Sequence, residues 1–150
     1  MSKRAEGVRI RLARPDDRDD LEALQWRASL ANPGDRPHLE AHPDAIHLPA
    51  ERIARGEVWV AELDGFIAGF AVVIPETGHA ELDGLFVDPE MWKRGIGAKL
   101  IDTATHAARQ RGLILMVVAN PAALGFYERC GFAIEGEAQT RFGPALRMSR

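Results

Sequence analysis

The sequence predicts an α/β fold, with one mixed sheet covered by helices on both faces. Three observations predict it. Short segments alternate apolar and polar residues with the period of half-buried strands. Longer segments repeat their apolar residues with the period of amphipathic helices. The two kinds interleave in the order β-α-(α)-β-β-β-α-β-α-β-β. The 150 residues suit one domain spanning 1–150, large enough to bury about 68–70% of its unfolded surface.

Val8, Ile10 and Leu12 alternate with Arg9 and Arg11, which predicts the first strand. Pro15-Asp16-Asp17 opens a helix with acids in its first turn, Leu21, Leu24, Ala28 and Ala31 form its apolar stripe, and Asn32-Pro33-Gly34 ends it. The stretch from Asp35 to Ala50, with three prolines and three histidines, is the least regular part, and a short helix is expected from Pro49 to Arg55. Glu57 to Leu63 and Phe66 to Ile74 are strands, joined by the two-residue hairpin signal Asp64-Gly65. Glu76-Thr77-Gly78 turns the chain into another strand, Ala80 to Val87, where Gly84 predicts a bulge or a close backbone approach. A helix from about Gly97 to Arg111 carries Leu100, Ile101, Ala104 and Ala108 on one face and stops at Gly112. Leu113 to Val118 is apolar throughout, as in a strand covered on both faces. Asn120-Pro121 caps a second short helix that ends at Gly131, and Phe132 to Ala138 and Ala145 to Met148 close the sheet.

Composition narrows the function. A net charge of -3, with Lys and Arg dispersed apart from Lys93-Arg94, argues against a general nucleic-acid partner. The single cysteine, Cys130, excludes an internal disulfide and fits a reducing cytoplasm, the expected location. Met1 to Asp20 is charged and predicts no signal peptide, and the longest apolar run, Leu113 to Ala119, is too short to span a membrane, so no membrane partner is expected.

The most informative segment is Leu85-Phe86-Val87-Asp88-Pro89-Glu90-Met91-Trp92-Lys93-Arg94-Gly95-Ile96-Gly97-Ala98. An apolar strand enters a basic loop, and two glycines open a helix where a side-chain cap would normally stand. The free N–H groups lie at the positive end of the helix dipole, which makes an anion site, most simply for phosphate. A P-loop is excluded, since no G-x-x-x-x-G-K-[ST] occurs, and a dinucleotide fold lacks its third glycine and its ribose-binding acid. A bare tight turn remains open on these residues alone.

The segment Val87-Asp88-Pro89, followed by Trp92-Lys93-Arg94-Gly95-Ile96-Gly97, resembles the central motif of the GNAT superfamily of N-acetyltransferases, V-x-P then [QR]-x-x-G-x-[GA]; Trp92 replaces the usual Gln or Arg. Asn120-Pro121-Ala122-Ala123-Leu124-Gly125-Phe126-Tyr127-Glu128-Arg129-Cys130-Gly131-Phe132 resembles the family's next motif, N-x-x-A-x-x-F-Y-E-[KR]-x-G-F. Together they cover about a third of the chain. The resemblance implies a mostly antiparallel, twisted mixed sheet of six to seven strands, helices on both faces and a splayed central strand pair. It implies an N-acetyltransferase that moves acetyl from acetyl-CoA to a primary amine by direct transfer in a ternary complex, or, as the rival, a non-catalytic acyl-CoA-binding module. Dimers are common in the family, so a homodimer is an expected state.

Cofactor binding is thereby expected at Leu85, Phe86 and Val87 for the pantetheine arm, at Arg94, Gly95, Ile96, Gly97 and Ala98 for the pyrophosphate, and at Trp92, Lys93, Asn120, Ala123, Phe126 and Tyr127. Glu81, six residues before Val87, stands where many family members place a catalytic glutamate. Asp83 lies two residues on, on the same strand face, as a substrate-binding acid, and whether Glu81, Asp83 or a water relay serves as the base stays open. Tyr127 is the expected acid for the leaving thiolate: a phenol at about 10 lies ~1.5 units above a thiol at 8.5, so donation is mildly uphill. The oxyanion is most simply held by a backbone N–H near Val87. Trp26, with His38, His42 and His47, borders the acceptor site by family analogy. Pro37 and Pro43 interrupt the histidine spacing, so no metal is expected. His79 and His106 read as surface residues. Acids at Asp35, Glu40, Asp44 and Glu51 lean towards a cationic acceptor.

Overall fold

The computed structural model describes residues 7–31, 36–42, 44, 46–140 and 143–150. Seven strands form one sheet: β1 (Arg9–Leu12), β2 (Val58–Leu63), β3 (Phe66–Pro75), β4 (Ala80–Val87), β5 (Leu115–Ala119), β6 (Ala133–Thr140) and β7 (Gly143–Ser149), in the order β1-β2-β3-β4-β5-β7-β6. The helices are α1 (Arg18–Leu30), α2 (Arg36–Ala41), α3 (Ala50–Ala54), α4 (Ile96–Gln110) and α5 (Leu124–Arg129). The β4–β5 pair is parallel, while β1–β2, β2–β3, β5–β7 and β6–β7 are antiparallel. Among the described residues no helix is long and apolar enough to cross a membrane.

The chain divides into two compact units. One runs through Val72 and takes in Gly84–Leu100; the other comprises Val73–Asp83 and Ile101–Arg150. In the first, Leu21 and Leu24 of α1, Val58 and Val60 of β2, Phe70 of β3, and Ile96 and Leu100 of α4 are buried. The β2–β3 hairpin turns on Asp64 and Gly65 with φ of 51° and 82°, the left-handed pair that a two-residue turn needs. In the second unit Ile101, Ala104 and Ala108 of α4 are buried, as are Leu115 and Met148.

Two local expectations change. The stretch after α1 is less irregular than its prolines suggest, because Pro37 falls at the second position of α2, where a missing N–H costs nothing. The proposed stop at Asn32-Pro33-Gly34 lies outside the described residues. Leu113 and Ile114 precede β5, Ile114 is 52% exposed, and β5 alternates buried with half-buried positions instead of being covered throughout.

Candidate functional site

In the first unit, β4 delivers Leu85, Phe86 and Val87 to a short turn, Pro89–Met91, that Asp88 caps by accepting from the Glu90 N–H at 3.1 Å. The peptide between Val87 and Asp88 is held from both sides. The Asp88 N–H donates to the Ala68 carbonyl at 2.8 Å, and the Trp92 indole N–H donates to the Val87 carbonyl at 2.8 Å. Arg27 pairs with the Asp88 carboxylate at 3.0 Å. Trp92 thus fixes the strand's exit through its own N–H, whatever its replacement of a Gln or Arg removes.

The loop then enters left-handed conformations at Lys93 (φ 66°) and Gly95 (φ 81°). The Gly95 carbonyl accepts from the Lys99 N–H at 3.1 Å, which makes Gly95 the residue that starts α4. Its lack of a side chain leaves the N–H groups of Ile96, Gly97 and Ala98 without a side-chain acceptor from that position. Ile96 and Gly97 are buried and Ala98 is half-buried, so bulk water is a poor substitute partner. The Lys99 ammonium turns away and donates to the Val8 carbonyl at 2.8 Å, whereas Lys93 and Arg94 are exposed.

Two glycines set the strand geometry here. A Cβ on Gly69 would stand 2.8 Å from the Phe86 carbonyl oxygen and 3.4 Å from the Val87 Cα, so the close passage of β4 depends on that glycine. At Gly84 the crowding comes from a side chain: a Cβ there would meet Cε2 of the Phe86 ring at 2.8 Å. That ring tilts against Phe70 with centroids 5.2 Å apart. The glycine therefore makes room for the Phe86 ring. In the second unit, the β4–β5 register runs through Ala80↔Leu115 and Glu81↔Met116.

Also in the second unit, burial alternates along β4. Ala80 and Leu82 are buried, Glu81 is half-buried and Asp83 is exposed, which places the two acids on one face. The Glu81 Oε1 is held by Arg147 at 3.2 Å and by His79 at 3.0 Å. His79, expected on the surface, has a side chain only 21% exposed. Arg147, which sequence reading did not single out, reaches Glu81 from β7.

Asn120 uses its side-chain oxygen to cap the turn before α5, accepting from the Ala123 N–H at 3.0 Å, and so keeps its amide nitrogen as a donor. Past Ala123, α5 carries Phe126 and Tyr127. The Tyr127 ring meets Phe126 edge-on at 5.2 Å and Phe132 at 5.4 Å. Burial pushes its phenol up to about 12, with a smaller contribution from Cys130. Among the described residues its hydroxyl has no hydrogen-bond partner. Burial likewise pushes the Cys130 thiol up, away from a nucleophilic thiolate.

Trp26 is half-buried on α1, in the first unit. Of the histidines grouped with it, His47 lies against Arg18 at 3.3 Å and Glu22 at 3.5 Å. Glu40 is committed to Arg36 at 2.7 Å, and Asp35 lies outside the described residues. The first unit also carries a half-open cleft of about 650 Å³ lined by α1, the β2–β3 hairpin and Asp88–Met91. Its charges are largely spent on each other. Arg11 grips Asp17 with two donors at 2.8 and 3.2 Å and Glu62 with a third at 3.0 Å. That guanidinium holds the Asp17 carboxyl below the usual range, against desolvation.

The first unit thus carries a strand exit, a left-handed basic loop and a helix start without a side-chain cap; the second carries the Asn120 cap and Tyr127. The model of the Acetyltransferase (GNAT) family matches residues 19–132. The chain belongs to the GNAT family. It is an acetyltransferase. It is similar to a probable N-acetyltransferase of Mycobacterium tuberculosis, 31% identical over 150 residues, covering 89% of this chain and 84% of that one. It is also similar to the peptidyl-lysine N-acetyltransferase YjaB of Salmonella typhimurium, 29% identical over 134 residues and 88% of each chain. Among solved structures it is similar to the PaiA N-acetyltransferase of Thermoplasma acidophilum in complex with coenzyme A. The TM-score is 0.76 at 19% identity, with 95% of this chain and 98% of that one covered, a likeness of fold.

Proposed function

We propose that this GNAT protein transfers acetyl from acetyl-CoA directly to a primary amine in a ternary complex, as one domain acting in the cytoplasm. The observation that carries the reading is the start of α4. Ile96, Gly97 and Ala98 present N–H groups at a helix N-terminus whose first residue, Gly95, has no side chain to satisfy them. With Gly95 as the cap position before α4, that arrangement suits the pyrophosphate of CoA, with Lys93 and Arg94 adding positive charge and Trp92 fixing the loop's entry. Leu85, Phe86 and Val87 are assigned to the pantetheine arm, and Asn120, Ala123 and Phe126 to further cofactor contacts.

In the proposed step the amine nitrogen attacks the thioester carbonyl carbon, and the Val87 N–H holds the oxyanion. The C–S bond then breaks and the thiolate takes the Tyr127 hydroxyl proton. Glu81 is assigned to removal of the acceptor's ammonium proton, alone or through a relay. Trp26 and Asp83 are assigned to the acceptor. The Salmonella relative's name makes a lysine side chain the first acceptor to try. Calorimetry with acetyl-CoA, together with thiol release over lysine peptides, spermidine and other small amines, tests the reading. Binding with release is expected. Binding without release on any amine identifies a non-catalytic module, and no binding contradicts the assignment altogether.

A further inference from the structure

Residues 79, 81 and 147 meet in the second unit although the chain separates the first from the last by 68 positions. The Glu81 Oε1 lies 3.0 Å from the His79 Nε2 and 3.2 Å from the Arg147 Nη2, and those two nitrogens are 3.2 Å apart. Arg147 also passes within 3.8 Å of the Met116 sulfur. The side chains are 21% (His79), 18% (Glu81) and 33% (Arg147) exposed.

Two arrangements share the hydrogens. Arg147 can only donate, so a bare Nε2 would accept from its Nη2 at 3.2 Å. An Nε2–H would instead donate to the Glu81 Oε1 at 3.0 Å, beside the Arg147 bond to the same oxygen. We assign the second, which matches the shorter contact. The neutral imidazole then leaves Nδ1 as its basic nitrogen, the geometry in which a carboxylate orients a histidine for proton transfer.

We propose that His79 is the relay through which Glu81 acts: the imidazole accepts the proton of the acetylation, Glu81 orients it in place of taking the proton directly, and Arg147 is a second positioning residue that clamps the carboxylate. This deepens the acetyltransfer reading and rests on it. The ammonium N–H bond breaks and an Nδ1–H bond forms, directly or through one water. The released lone pair attacks the thioester, and the imidazolium keeps its Nε2–H bond to Glu81. The chemistry favours this carrier over the carboxylate: carboxylates ordinarily titrate about six units below a primary ammonium, imidazoles about four. Glu81 on β4 and Arg147 on β7 face the ring.

The test uses the full chain, acetyl-CoA, and a lysine peptide and spermidine as probe amines, with kcat/KM followed from pH 5 to 9. His79→Gln is expected to lower kcat about 100-fold at pH 7, with KM for acetyl-CoA within threefold of wild type, and to abolish the rising limb. Glu81→Gln keeps the rising limb but lowers kcat, because the amide oxygen still accepts from Nε2–H. Arg147→Ala lowers kcat with KM for acetyl-CoA unchanged, and Arg147→Lys restores it. Nitrogen NMR of the wild-type imidazole is expected to show the Nε2–H tautomer, a readout that needs no variant to fold. A wild-type profile in His79→Gln, a limb lost in Glu81→Gln alone, or the Nδ1–H tautomer overturns the proposal while leaving acetyl transfer intact. Absence of acetyl-CoA binding, or of thiol release with either amine, overturns the acetyltransfer reading and this inference with it.

Discussion

Replacing Tyr127 with Phe removes one oxygen and leaves the ring that packs against Phe126 and Phe132. Burial has pushed the phenol up to about 12. A thiolate leaving group sits near ~8.5, so donation from Tyr127 is uphill by roughly 3.5 units, or about 5 kcal/mol, steeper than an unperturbed phenol would suggest. Water, the donor left in the variant, has a pKa of ~15.7 and is uphill by about 10 kcal/mol. If half of that 5 kcal/mol difference is expressed in the transition state, kcat falls about 70-fold. Acetyl-CoA affinity by calorimetry stays within about twofold, since the ring remains and the hydroxyl is assigned only to the departing thiolate. The melting temperature holds or rises slightly, because a half-buried hydroxyl without a partner is removed. A second consequence follows from the raised phenol: it stays protonated through pH 10, so Tyr127 contributes no falling limb below about pH 11. A kcat within threefold of wild type refutes the acid role, and a falling limb near pH 10 that vanishes in the variant refutes the effect of burial.

Two further outcomes test the frame around the site. Gly69→Ala puts a methyl 2.8 Å from the Phe86 carbonyl oxygen, which only backbone movement can relieve; a loss of about 1–3 kcal/mol, seen as a drop of several degrees in melting temperature, is expected, and an unchanged melting curve contradicts the close approach. Asp17, whose folded pKa is depressed by Arg11, contributes stability that is fully present above its unfolded value near 3.8 and disappears as pH falls through the lower folded value. Denaturant titrations should therefore show wild type losing stability below about pH 4. Asp17→Asn should be weaker by about 1–3 kcal/mol at pH 7 and flatter in that acid window; parallel pH curves contradict the linkage.

Local chemistry made much of the fold readable. Asp64-Gly65 could only be a tight hairpin between two apolar strands, and Asn120-Pro121 could hardly avoid capping a helix. The start of α4 was legible for the same reason: an N-terminus is read from a single residue, and Gly95 has no side chain to cap with. Short-range pattern failed where neighbours decide. Proline content hid α2, because Pro37 is harmless only at a helix's first turn. The apolar run Leu113-Ile114 looked like strand, but backbone pairing, not apolarity, sets where β5 begins. Within the site, Glu81 and Asp83 shared a face as their spacing required, yet the partners of Glu81 were invisible. His79 lies two residues away, yet it reads in the sequence as a surface residue. Arg147 comes from the last strand, and only the order β4-β5-β7 brings it within reach.

The central claim is that the start of α4 holds the pyrophosphate of acetyl-CoA. It is tested most directly by changing the ligand and leaving the protein intact. Acetyl-CoA and S-acetylpantetheine, which has the thioester arm but no phosphate, should be titrated calorimetrically into the wild-type chain. Loss of two or three charge-assisted hydrogen bonds at about 1.5–3 kcal/mol each predicts binding at least 100-fold weaker for S-acetylpantetheine. Equal affinities, or no binding of acetyl-CoA, would contradict the claim.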